Sequence, residues 1–180
     1  VELGLPRDRI FTGYDVVDNA YFSIGADAAR RNTTVERGRL GLPTDYFLAC
    51  AQFQPKKNLV RLVEAFARYR RIAAASHAPA AVWKLVIVGD GLLRPEIESC
   101  RRDLGLEADV LLPGFKTHAD LTAYYGLAGA FVHASVIEQW GLVVNEALAS
   151  GLPVLVSNRC GCAADLVQAD GNGFTFDPLD

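Results

Sequence analysis

The sequence predicts a doubly wound, Rossmann-like α/β domain on a parallel sheet, and three observations carry that prediction. From residue 46 onward, short apolar runs alternate with amphipathic stretches. The runs are nearly continuous in Val, Ile and Leu, as strands are when helices cover both faces of their sheet. Strand, helix, strand repeated in this way requires parallel strands joined by right-handed crossovers. Ligands of such sheets bind outside the carboxyl ends of the strands, so functional residues are sought there.

The elements follow in order. Tyr46 to Ala51 reads as a strand, and Asn58 to Ala75 as a helix with Leu59, Leu62, Val63 and Phe66 on one face. Lys84 to Gly89 is the next strand and Leu92 to Leu104 the next helix. A short strand at Val110 to Leu112 leads through Pro113-Gly114 to a helix over Ala119 to Leu127. A strand at Ala130 to Ala134, a helix at Leu142 to Ser150 and a strand at Pro153 to Ser157 come next. A short helix at Ala163 to Gln168 and a strand at Gly173 to Phe176 end the chain.

Residues 1–40 have a different character. Arg9 to Asn19 reads as an extended segment, and Ala26 to Arg39 as one polar helix carrying Arg30, Arg31, Glu36, Arg37 and Arg39. They are expected to form a connector into a ligand-binding domain of residues 41–180. No internal repeat or low-complexity tract interrupts the chain.

A chain of 180 residues suits one domain, and at that size roughly two-thirds of the unfolded surface is buried without a disulfide or metal staple. The 51% hydrophobic and 22% charged shares are ordinary for a soluble globular protein. A net charge of -3 argues against a domain that coats nucleic acid. The longest apolar stretches, Lys84 to Gly89 and Gly151 to Ser157, are too short to cross a bilayer. Val1-Glu2-Leu3-Gly4 followed by Pro6 does not open a signal peptide, and the absence of methionine leads us to expect part of a longer polypeptide. Cys50, Cys100, Cys160 and Cys162 match no zinc spacing. Reduced thiols in a cytoplasmic protein, and no metal site, are the expectation.

The stretch from Ser135 to Glu146 carries the chemistry. Glu138 falls in a loop after a strand, and Glu146 follows it with seven residues between, in a helix that begins near Gly141. Gly141 lets backbone approach a ligand closely, and the unpaired N–H groups of the helix start favour an anion such as a diphosphate. Carboxylates beside an anion site suit a ligand that joins phosphate to sugar hydroxyls. By spacing alone, both acids read equally as solvated surface groups. Among His77, His118 and His133, only His133 ends a strand facing the expected cleft, where a satisfied structural role competes with a catalytic one. Trp83 and Trp140 read as packing residues. Gly89-Asp90-Gly91 is half of a dinucleotide fingerprint whose third glycine is missing.

Glu138, seven residues, Glu146 and then Ala147-Leu148-Ala149-Ser150-Gly151-Leu152-Pro153-Val154 resemble the signature of glycosyltransferase family 4, of the GT-B fold. Pro55-Lys56-Lys57-Asn58 before a helix resembles that family's phosphate loop, and Val88-Gly89-Asp90-Gly91 its second loop. Leu112-Pro113-Gly114-Phe115 is similar to the loop against the base, and Gly171-Asn172-Gly173-Phe174 to the family's hairpin. The resemblance covers about Tyr46 to Asp177 and implies the carboxyl-terminal, donor-binding domain of a two-domain enzyme.

It further implies a retaining, metal-independent transferase that takes a nucleoside-diphosphate sugar, UDP or GDP, with no other cofactor. Glu146 would bind the ribose hydroxyls and Glu138 the transferred sugar, while Gly141 and Leu142 hold the diphosphate. Lys57 would neutralise the phosphates and the leaving group. Gly114 and Phe115 would face the base. A sugar or glycolipid acceptor would come through an amino-terminal domain, in polysaccharide or glycoconjugate synthesis, and residues 1–180 alone would not turn over. The sequence departs at Ala51-Gln52, where the family commonly has Gly-Arg, so Gln52 replaces a phosphate-gripping guanidinium. Either Lys56 or an arginine elsewhere, with Arg159 in Asn158-Arg159-Cys160-Gly161-Cys162 a candidate, compensates, or donor binding is weakened. Two alternatives stay open: a nucleotide-sugar epimerase of the same fold, and a degenerate domain that binds a nucleotide or a partner.

Overall fold

The computed structural model describes residues 4, 6–9, 15–75 and 82–180. The expected extended segment at Arg9 to Asn19 falls partly outside these residues, and His77 wholly so.

Six strands form one parallel sheet: β1 (Tyr46–Cys50), β2 (Lys84–Val88), β3 (Val110–Gly114), β4 (Ala130–His133), β5 (Val154–Ser157) and β6 (Gly173–Phe176). Their order is β3-β2-β1-β4-β5-β6, the doubly wound arrangement the sequence predicts. Successive residues of a strand point to opposite faces, and both faces here are apolar. Tyr46, Leu48, Cys50, Val86 and Val88 join one buried cluster, while Ala49, Leu85 and Ile87 join the other. The second cluster is covered by α3 (Leu59–Ala75) and α4 (Arg94–Asp103), through Leu59, Val63, Phe66 and Ile97. The first is covered by α1 (Asn19–Arg31), α5 (His118–Leu127) and α6 (Leu142–Ala149).

The elements differ from the sequence reading in three places. β3 runs on through Pro113, which an edge strand tolerates because its outer N–H groups need no partner. The short helix after β5 is a single turn, α7 (Ala163–Leu166). And the single polar helix expected over Ala26 to Arg39 is two helices, α1 and α2 (Thr33–Leu40).

α1 begins at Asn19 because the Asp18 carboxylate accepts from the Tyr21 N–H at 2.9 Å and caps the helix. Phe22, Ala26 and Ala29, spaced along one helix face, are buried against α5 and the core. Arg30, on the same helix, donates to the Ser150 carbonyl at the end of α6 at 2.5 Å. Residues 19–31 therefore dock on the domain, and their arginines are the outward face of a packed helix.

Candidate active site

β1 lies at the centre of the sheet, and the chain leaves it for β2 on one side and enters β4 on the other. A crevice opens at this switch point, above the carboxyl ends of β1 and β4. The loop after β1 forms a 3-10 turn over Pro55–Lys57, and the Val136 N–H from the loop after β4 donates to the Lys56 carbonyl at 2.8 Å. That bond sets the two loops side by side and lets Lys57 Nζ donate to Glu138 Oε2. Lys56 Nζ stands 3.9 Å from the other oxygen, Oε1.

Two further groups reach Glu138 from below. His133, 3% exposed at the end of β4, puts Nε2 at 3.5 Å from Glu138 Oε2. Ser135, fully buried, donates to the same oxygen at 3.3 Å. The His133 hydrogen bond and the Lys57 ammonium together hold the Glu138 carboxyl far below its ordinary range, at about 2. The carboxylate is ionised at any physiological pH.

The loop bearing Glu138 is fixed through its backbone. Glu138 pairs in parallel with Cys160, the Gly161 N–H donates to the Glu138 carbonyl at 3.0 Å, and the Cys162 N–H donates to the Trp140 carbonyl at 3.2 Å. Gly141 follows at φ 107°, a conformation that only glycine adopts readily, and a Cβ there would lie 3.3 Å from His133 Nε2 and 3.5 Å from Glu138 Cγ. Gly141 precedes α6, whose start has no side-chain cap; the Val144 N–H donates to the Gly141 carbonyl at 2.8 Å, and the Leu142 and Val143 N–H groups are open to an anion. Lys57, Glu138, Trp140, Gly141, Leu142 and Asp15 border a cavity of about 510 Å³ at this point. Trp140 Nε1 donates to Asn145 Oδ1 at 2.9 Å, and Asn145 Nδ2 to the Asp15 carbonyl at 3.3 Å, which brings the segment before α1 to the cavity rim.

Glu146 sits differently. It lies one turn beyond Leu142 on the same face of α6, is 8% exposed, and accepts from Tyr125 OH at 2.7 Å. Burial raises its carboxyl above the ordinary range, against the pull of the Tyr125 hydrogen bond. Glu138 borders the cavity and Glu146 lies a layer deeper, so the two acids expected at one cleft share no partner.

The remaining predicted residues occupy the same sheet edge without entering the cavity. Gln52 is exposed, with Oε1 accepting from Gln54 Nε2 at 3.0 Å. Gly114 ends β3, and Phe115 beside it is 77% exposed. Arg159 pairs with Asp177 at 3.6 Å, on the surface near β6. Asp90 is held by Arg94 and the Gly91 N–H, which lower its carboxyl, and a Cβ at Gly89 would strike the Ala51 carbonyl at 1.8 Å. That glycine serves loop packing. Trp83 packs on Phe47 at 4.9 Å. A larger groove of about 620 Å³ runs along α3, walled by Arg61, Arg68 and Arg71, and shares no residue with the crevice. Among the described residues no group of three or more His, Cys, Asp or Glu is placed to hold a metal ion, and all four cysteines are free. Burial raises Cys50, Cys160 and Cys162, to about 12, 11 and 12. No helix among the described residues is long and apolar enough to cross a membrane.

Sequence reasoning missed Ser135, Gly161, Asp15 and Tyr125. Ser135 had a signal, since His133 and Ser135 are two residues apart and leave the strand on one side. Gly161 and Tyr125 had none, because each meets the site through a contact distant in sequence.

A parallel sheet in this order, with a lysine, a carboxylate and an open helix start at its switch point, defines a Rossmann-like domain. The family model described as Glycosyl transferases group 1 matches residues 32–180, and the chain belongs to that family. It is 31% identical over 143 residues to the alpha-monoglucosyldiacylglycerol synthase of Acholeplasma laidlawii, covering 78% of this chain but 34% of that enzyme. Anabaena HepE in complex with UDP superposes with a TM-score of 0.76 at 24% identity, over 97% of this chain and 45% of that one. The carboxyl-terminal domain of a glycosyl transferase group 1 family protein from Francisella tularensis gives 0.72 at 21% identity, over 91% and 80%. The fold is that of the carboxyl-terminal domain of GT-B glycosyltransferases, and the chain spans about a third of the first relative's length.

Proposed function

We propose that this chain is the donor-binding part of a retaining glycosyltransferase that moves a sugar from a nucleoside diphosphate to an acceptor. The observation that carries the reading is the cavity at the switch point, where Lys57, Glu138 and the uncapped start of α6 converge. A diphosphate at the helix start meets free N–H groups and the Lys57 ammonium. The same two features stabilise charge that develops on the leaving diphosphate as the bond to the sugar breaks, without a metal ion. The Glu138 carboxylate, ionised and acceptor-only, suits sugar hydroxyls next to that bond. Glu146, one turn deeper, is offered to the ribose hydroxyls. The exposed Phe115 ring lies three strand spacings from β4, roughly 14 Å, which an extended nucleotide spans.

The acceptor, a sugar or glycolipid, enters from a second domain of the longer architecture, and residues 1–180 alone bind donor without turning it over. Sugar transfer by this chain by itself would contradict that last statement. UDP in HepE favours a uridine donor. Four free cysteines suit a cytoplasmic setting.

Calorimetric titration with UDP, GDP and ADP tests the reading, repeated on Glu146→Ala. One nucleotide binds selectively, and the variant binds it roughly tenfold or more weakly, as expected for a lost charged hydrogen bond. If folded protein binds none of the three, either a second domain completes the site or Gln52 in place of arginine has cost the domain its ligand.

A further inference from the structure

We propose that His133 and Ser135 are positioning residues: they hold the Glu138 carboxylate in the donor cavity once Lys57 has turned to the donor's diphosphate. The inference rests on reading the cavity as a donor site.

Among the described residues that line the cavity Lys57 is the sole cation, beside the acidic residues Glu138 and Asp15. Its ammonium is engaged by Glu138 Oε2. A diphosphate at the start of α6 carries more charge than one carboxylate and competes for that ammonium. Glu138 then loses its closest partner at the moment when its own position must be kept for the sugar.

What remains on Oε2 is a pair of donors that the ligand does not touch. Ser135 is fully buried, His133 is 3% exposed, and neither lines the cavity. The His133 ring is stacked on Phe131, at 6.3 Å between centroids and 14° between planes, so it is anchored in the sheet. Ser135 Oγ donates to Glu138 at 3.3 Å, and His133 Nε2 lies 3.4 Å from Ser135 Oγ and 3.5 Å from Glu138 Oε2. With a hydrogen on Nε2, the ring donates towards both oxygens. Both donors leave the end of β4, a rigid element, while Lys57 stands on a loop turn. The carboxylate is thus held by the strand, and its bond to the lysine is exchangeable.

The test uses the full-length protein with UDP and UDP-glucose, and compares His133→Phe, His133→Gln and Ser135→Ala. His133→Phe is expected to keep UDP affinity within about twofold while kcat for UDP release from UDP-glucose falls roughly tenfold or more. His133→Gln, whose amide N–H replaces Nε2–H, restores most of the rate, and Ser135→Ala falls between. The proposal is overturned if His133→Phe turns over like wild type, if glutamine fails to rescue, or if UDP affinity, rate and Tm all fall together. A wild-type protein that does not bind UDP, or a Lys57→Ala variant that binds it undiminished, overturns the donor-site reading instead.

Discussion

Glu138 and Glu146 belong to one motif, yet they live in opposite electrical surroundings. Glu138 stands on a loop at the crevice, touched by Lys57, His133 and Ser135, and its carboxyl is held down at about 2. Glu146 is buried in α6 with one hydroxyl partner, Tyr125, and its carboxyl is pushed up. Hydrogen bonds and cations favour the charged form at the first position, and desolvation disfavours it at the second. A loop can carry an acid to the cations of neighbouring loops. A helix one turn in can only point it at whatever packs alongside. The difference teaches that equal chemistry in a motif does not mean equal roles.

The largest expected effect comes from breaking the Glu138 side. Lys57→Ala removes the cavity's cation, and nucleotide affinity should drop by about 1.5–3 kcal/mol, roughly tenfold to a hundredfold, in a calorimetric titration. The same change in Glu146's surroundings, Tyr125→Phe, should leave the phosphate end of binding untouched. If both variants bind alike, the contrast between the two acids has no functional meaning.

Gly141 probes the geometry that places Glu138. Gly141→Ala forces a side chain onto a φ of 107° and against His133, and should destabilise the fold by about 1–3 kcal/mol in denaturant melts. An unchanged melting curve would show that the loop shifts to accommodate a Cβ.

Acid titration sharpens the comparison by sign. Glu138's carboxyl is lower in the folded state than its ordinary 4.5, so its contribution to stability is complete above about 4.5 and is lost as pH falls towards about 2. Glu138→Gln should flatten the stability profile in that window, as read from melts between pH 5 and pH 2. A variant curve parallel to wild type would mean that the pairing adds nothing.

The smallest effect runs the other way. Glu146 is raised above 4.5, so ionising it in the folded state costs stability as pH rises through its folded value. Glu146→Gln keeps an acceptor for Tyr125 and removes that cost, so Tm at pH 7 should rise modestly, corresponding to about 1 kcal/mol or less. The gain should shrink as pH falls towards 4.5, because the raised carboxyl takes up its proton before a free one would. A Tm that falls at pH 7 would show the charge to be paired after all.

Legibility in the sequence followed the range of the interactions. Strands β1, β2, β4, β5 and β6 were readable to within a residue or so, because each is a short apolar run between turn residues. The glycine before α6 was readable too, from its place between a strand and an apolar helix. α1 reads as polar and late because its arginines obscure the spacing of Phe22, Ala26 and Ala29 and the Asp18 cap lies ahead of the arginine-rich stretch. The pairings of the two acids with partners distant in sequence were not readable. Lys57 lies 81 residues from Glu138, and Tyr125 lies 21 residues from Glu146.

The sequence by itself determined the alternation of elements, the parallel sheet, and the family to which the motif belongs. These depend on local periodicity, turn chemistry and the handedness of crossovers, all of which neighbouring residues express. Only the tertiary structure decided that Glu138 is the acid at the cavity and Glu146 the one beneath it. It also decided that His133 and Ser135 face the first, and that the Cys160–Cys162 loop fixes its backbone. A carboxylate's ionisation is set by the charges and burial around it in space. The chain supplies those only when strands far apart in sequence come to lie side by side.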